Sequence, residues 1–143
     1  MSEEKKIVGF IAGAFDLLHP GYIDMFNEAT QFCDHLIVGL HEDPSLERPQ
    51  KLKPILKVSD RQKMLLALQA VDLVITYKTE ADLYEILKHT DIDIRFLGSD
   101  YVGSDYTGND LGIPLRFVNR EHGRSTTKLK NMNANSITKK VKK

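Results

Sequence analysis

The chain has 143 residues, 28% of them charged, with 20 basic and 20 acidic side chains that cancel. That length predicts one domain with room for a real core, and the zero net charge provides no global field calling for nucleic acid or an acidic partner. The single cysteine, Cys33, excludes an internal disulfide and suits a reducing compartment.

The elements follow in chain order. Residues Ser2-Glu3-Glu4-Lys5-Lys6 lack the apolar core of a secretory signal. Ile7–Ile11 reads as a buried strand, and Gly21–Cys33 as the first helix. Between them lies Ala12-Gly13-Ala14-Phe15-Asp16-Leu17-Leu18-His19-Pro20-Gly21. A strand, a small-residue turn with a histidine, and a helix start are the parts of a phosphate site. First-turn N–H groups have no partner within the helix, and the macrodipole favours an anion there. The histidine adds a donor that can be charged near neutral pH.

His35–Leu40 reads as a second strand. Glu42–Lys57, with Pro44, Pro49 and Pro54, reads as a long loop. Ser59 and Gln62 have capping-box spacing, which predicts a helix over Asp60–Ala70 with Met64, Leu65 and Leu68 facing the core. Val71–Ile75 is a third strand. Thr79 is placed to cap a helix whose core side is Leu83, Ile86 and Leu87. Ile92–Leu97 is a fourth strand, and Gly98–Gly112 a Gly/Asp-rich loop holding Tyr101, Tyr106 and Asn109. Leu115–Val118 is a fifth strand, and a last helix starts near Ser125. After Glu121 there is no acid but seven basic residues, so 132–143 reads as a flexible basic tail on a 6–130 core. That tail has no interleaved aromatics to stack on bases. No apolar stretch reaches the length of a membrane span. The expectation is a soluble, cytoplasmic, single-domain protein with neither nucleic acid nor membrane as partner.

Continuous apolar strands alternating with helices predict an α/β fold: a Rossmann-like, doubly wound, parallel five-stranded sheet with helices on both faces. Ligands then bind beyond the carboxyl ends of the strands, at the switch in strand order. The loops after the strands bring His19, Lys51, Lys53, Arg120 and Arg124 to that rim, with Ser125 and Thr126 at a helix start and Asp16 and Asp100 as acids. The chain has no cysteine–histidine zinc spacing, Walker sequence or nucleophile elbow. Many phosphate binders without a nucleophile suit phosphoryl or nucleotidyl transfer, where positioning and charge stabilisation do the catalysis.

Phe15-Asp16-Leu17-Leu18-His19-Pro20-Gly21 resembles the His-x-Gly-His signature of the nucleotidylyltransferase superfamily. Arg120-Glu121-His122-Gly123-Arg124-Ser125-Thr126-Thr127 resembles its second signature. The resemblance runs from Lys6 to Leu129 and is greatest to small glycerol-3-phosphate cytidylyltransferases. Ethanolamine-phosphate enzymes are also similar at Gly39-Leu40-His41 and around Lys51, Pro54 and Ile55. It implies attack of an acceptor phosphate on the α-phosphate of CTP, release of pyrophosphate, Mg2+ bound with the triphosphate, and a homodimer. It also implies roles. His19 would stabilise transition-state charge, and Lys51 or Lys53 would reach the phosphates. Arg120 with Ser125 and Thr126 would hold the β- and γ-phosphates. Gly13, Ala14, Phe15 and Gly21 would allow close backbone approach, while Asp16, Gly98 and Asp100 shape the base and ribose pocket and Arg61 supports the site.

Three positions depart from the pattern. Tyr22 replaces the second histidine, Ala14 a threonine, and Gln69 an arginine. Tyrosine can donate a hydrogen bond but does not become a cation, so a degenerate site that binds nucleotide without reacting stays open. Gln69-Ala70-Val71-Asp72 and Gly98-Ser99-Asp100-Tyr101 resemble equally the adenylyltransferase domain of heptose-phosphate enzymes, which keeps ATP with a sugar phosphate or an FMN-like phosphate open beside CTP.

Overall fold

Five apolar runs form five parallel strands in this computed structural model, which describes residues 5–119. Arg120, Ser125, Thr126, the predicted last helix and the basic tail lie outside the described residues. The strands are β1 (Val8–Gly13), β2 (His35–His41), β3 (Leu73–Tyr77), β4 (Ile94–Gly98) and β5 (Leu115–Val118). The helices are α1 (Pro20–Ala29), α2 (Val58–Leu66) and α3 (Glu80–His89). The sheet order is β3-β2-β1-β4-β5, every pair parallel, so the expected architecture holds.

The chain runs outward from β1 to β3, then crosses back to β4. Parallel crossovers keep one hand, so helices before and after that reversal lie on opposite faces. The two cores follow from this. Met25 and Phe26 of α1 and Leu65 of α2 pack with Ile11, Leu36, Val38 and Phe96 on one face. Leu83 and Leu87 of α3 pack with Phe10, Ile37 and Tyr77 on the other. Aspartates fasten the strand entries: Asp34, Asp93 and Asp72 accept from the N–H groups of Ile7, Val8 and Leu36.

The centre of the sheet is packed against glycine. A Cβ at Gly39 would lie 2.6 Å from Cζ of the fully buried Phe10. Gly39→Ala is expected to lower stability by about 1–3 kcal/mol through overpacking, read as a lower urea midpoint at unchanged m-value.

Most element bounds differ from expectation by one or more residues, and in three elements the local cause is visible. Helix α1 starts at Pro20, whose missing N–H costs nothing at a first helical position, and it ends at Ala29, short of Cys33. Helix α2 has Lys57 rather than Ser59 at its N-cap position, with no side-chain cap hydrogen bond, and stops at Leu66. Its inward face is Arg61 and Leu65, four residues apart, while Met64 is 41% exposed. Strand β3 begins at Leu73, because Leu36 and Asp72 exchange two hydrogen bonds and set the register there. By contrast, Thr79 caps α3 as expected, in a capping box completed by Asp82.

Candidate active site

The reversal in strand order leaves a crevice at the carboxyl ends of β1 and β4. A cavity of about 210 Å³ occupies it. Gly13, Ala14, Phe15 and Asp16 line it consecutively, with Tyr22, Lys51 and Gly98 from three other segments. His41, Tyr101 and Tyr106 line it too.

The turn after β1 is made by Phe15, whose φ of +44° is unusual for a side-chain-bearing residue. Such a conformation costs on the order of 1–3 kcal/mol and persists only when packing over-determines it. Here the Phe15 ring lies edge-on to Tyr22, centroids 5.3 Å apart, and against Phe26 at 5.2 Å. The strained turn thereby aims the Gly13–Asp16 backbone across the crevice.

Asp16 is buried, and its two carboxylate oxygens accept from the N–H groups of Ile55 (2.7 Å) and Leu56 (2.8 Å). It ties the loop bearing Lys51 to the turn after β1. Arg61, 2% exposed, completes the tie. It donates to the carbonyls of Leu56, Ala14, His41 and Glu42. Burial pulls its guanidinium below the ordinary value, and the nearby carboxylates of Asp16, Asp43 and Glu42 raise it again. Arg61 supports the floor without lining the cavity.

His19 is the N-cap of α1 and 5% exposed. Its ring stacks on Tyr22, with centroids 4.3 Å apart and 22° between the planes. Tyr22 lines the cavity, whereas His19, Gly21 and Lys53 stand outside its lining. Lys53 is close enough to help hold the Asp43 carboxyl below its usual range, after the Ser45 hydrogen bonds that chiefly do so. Asp100 belongs to the short turn, Ser99–Tyr101, that directly follows β4.

The far end of the cavity carries His41, Arg48, Glu80, Arg95 and Thr107, of which the sequence resemblance singles out only His41. His41 stacks on Tyr77 (4.6 Å), and its Nε2 lies 3.1 Å from the Lys78 carbonyl. Glu80 accepts from Arg48 at 3.0 Å and from the Thr107 hydroxyl at 2.9 Å. Burial, and then Glu80, push the Tyr77 phenol well above its usual range, so it remains a neutral donor. Arg95 reaches this end from β4 and stands under the Tyr106 ring, 5.2 Å from its centroid. A charged residue inside the apolar run Ile92–Leu97 was the signal that could have found it.

A family model described as cytidylyltransferase-like matches residues 10–137. Bifunctional protein HldE of Caulobacter vibrioides is 35% identical over 127 residues, covering 85% of this chain and 26% of that protein. Bifunctional protein HldE of Wolinella succinogenes is 37% identical over 127 residues, covering 88% and 26%. The chain thus spans about a quarter of the length of these relatives. The crystal structure of the lipopolysaccharide core biosynthesis protein of Thermoplasma volcanium GSS1 is similar with a TM-score of 0.65 and 27% identity, covering 79% of this chain and 94% of that one. Among the described residues no helix is long and apolar enough to cross a membrane.

Proposed function

Because the chain belongs to the cytidylyltransferase-like family, a family of nucleotidyltransferases, we propose that it transfers a nucleoside monophosphate from a nucleoside triphosphate to the phosphate of a small sugar or polyol. An acceptor phosphate oxygen forms a bond to the α-phosphorus, the bond from that phosphorus to the β-bridging oxygen breaks, and pyrophosphate leaves. The carrying observation is the crevice at the switch between β1 and β4, where the Gly13–Asp16 backbone, Tyr22 and Lys51 converge beside the N-terminus of α1.

On this reading the triphosphate lies over the first turn of α1, where the dipole favours anions. His19 donates to the α-phosphate oxygens as charge builds on them, and Tyr22 holds the imidazole by stacking. Lys51, on the loop tied down by Asp16, approaches the phosphates from the opposite rim, with Lys53 behind it. Arg120, Ser125 and Thr126 hold the β- and γ-phosphates. Gly98 and Asp100 border the base and ribose.

Mg2+ accompanies the triphosphate in this reading. The described side chains that come together as metal ligands are His41, Glu47 and Glu80. An imidazole is foreign to the octahedral oxygen shell of Mg2+, and Arg48 already pairs with Glu80. That group does not fit the ion, which is better carried on phosphate oxygens and water.

Two donors have support. The likeness at residues 39–41 and 51–55, with Arg120, favours CTP. The HldE relatives, with the likeness at 69–72 and 98–101, favour ATP and a sugar phosphate. Pyrophosphate release from CTP, ATP, GTP and UTP over a panel of sugar and polyol phosphates tests both. One of the first two is expected to turn over at least tenfold faster than the rest. Tight binding of a triphosphate with no turnover would instead identify a degenerate site, and no binding would overturn the reading. Sedimentation of the same sample tests the proposed homodimer.

A further inference from the structure

Among the described residues two arginines, Arg61 and Arg95, are almost fully buried, and they are not alike. Arg61 places its guanidinium on four backbone carbonyls, is flanked by three acids and does not line the cavity. It is a satisfied structural cation. Arg95, 3% exposed, does line the cavity. Its Nη1 donates to the Thr107 carbonyl, but among the described residues its Nε has no hydrogen-bond partner. It forms no ion pair among the described residues either. The Glu80 oxygen that bonds Arg48 also accepts from Thr107, so that acid is already engaged.

Glu80 is the acid whose charge reaches Arg95, and it is shared with Arg48 and Thr107; a buried cation compensated so weakly costs several kcal/mol. A chain that needed only packing here would carry an apolar residue, as the flanking Ile94 and Phe96 show. The planar fork of a guanidinium matches the paired oxygens of a phosphate. Residues two apart on a strand share a face, so Arg95 lies below Leu97 on the side of the sheet covered by α3. The N-terminus of α1 belongs to the opposite face. The cavity therefore has two anion-attracting ends, one at the start of α1 and one at Arg95.

We propose that Arg95 anchors the phosphate monoester of the acceptor and so sets which acceptors the enzyme takes. The inference rests on the nucleotidyl-transfer reading above and deepens it. Tyr106, Thr107 and His41 around the same end offer an aromatic face, a carbonyl and an imidazole to the polyol portion.

The test uses inorganic phosphate and glucose 1-phosphate as probes, with glucose as the uncharged control and CTP and ATP titrated separately. In Arg95→Met both phosphate probes are expected to bind about 10–100-fold more weakly, the range set by one charge-assisted hydrogen-bonded pair, while triphosphate affinity is unchanged. Arg95→Lys should recover part of the loss. In the unsubstituted protein, glucose 1-phosphate should shift the Arg95 Nε–H resonance and glucose should not, which keeps the test open if Arg95→Met fails to fold. Equal probe binding in both proteins, or an unmoved Nε–H resonance, overturns the proposal. Parallel loss of triphosphate binding would also overturn it by marking Arg95 as structural. Failure of the unsubstituted protein to bind any triphosphate is a different result and defeats the nucleotidyl-transfer reading itself.

Discussion

His19→Ala is expected to lower kcat by about 10²–10³-fold or more, the scale for removing one donor aimed at developing negative charge. Triphosphate affinity should fall far less, because the α1 N-terminus and the lysines of the 51–53 loop remain. In this chain no second imidazole stands one turn along α1, so His19 is the one ring there able to take up a positive charge. The Tyr22 ring stacked on it at 4.3 Å provides orientation rather than charge. His19→Asn, which keeps a donor and loses the cation, should retain more activity than alanine. Tyr22→His should raise turnover if a second cation is what the site lacks. Circular dichroism must show an unaltered fold for the kinetic loss to count, since losing the stacked ring costs only about 0.5–1.5 kcal/mol. Unchanged kcat in a folded His19→Ala protein would remove His19 from the mechanism.

The sheet and the rim of the site were legible for one reason. Strands buried on both faces read as unbroken apolar runs, and the turns that follow them carry the polar residues. What misled was local pattern where tertiary contacts decide. Ser59 and Gln62 have the spacing of a capping box, yet α2 starts two residues before the expected Asp60, at Val58. Asp16 holds the N–H groups of Ile55 and Leu56, and Arg61 holds the Leu56 carbonyl, so the chain's entry angle is fixed before Ser59 is reached. Met64 was assigned to the core because it is apolar. Arg61 was assigned to a supporting role without its burial, because a charged residue does not register in a hydrophobic period. The inward stripe is in fact Arg61 and Leu65. Arg95 escaped for the same reason, as a cation inside a strand. The partners of His41 in the polar cluster, Arg48, Glu80 and Thr107, escaped because they are scattered over 60 positions (48 to 107) and meet only in three dimensions.

Arg61→Met should be the most damaging single change to the fold. The substitution preserves chain length and apolar volume but leaves four carbonyls without their donor, those of Ala14, His41, Glu42 and Leu56. Each buried unsatisfied group costs about 1–3 kcal/mol, and rearrangement and water entry recover part of that. A net loss of about 3–5 kcal/mol is expected. Against a typical total of about 5–15 kcal/mol for a domain, that removes a large share of the stability. Arg61→Lys should fall in between, because one ammonium with three donors cannot reproduce a planar fork spread over three segments. Those segments are the turn after β1, the end of β2 and the loop before α2, and together they make one wall of the cavity. Nucleotide affinity should therefore fall in Arg61→Lys even where urea denaturation finds it folded, although Arg61 does not itself line the cavity. A denaturation midpoint for Arg61→Met equivalent to less than about 1 kcal/mol of loss would mean that the wall is held by Asp16 alone.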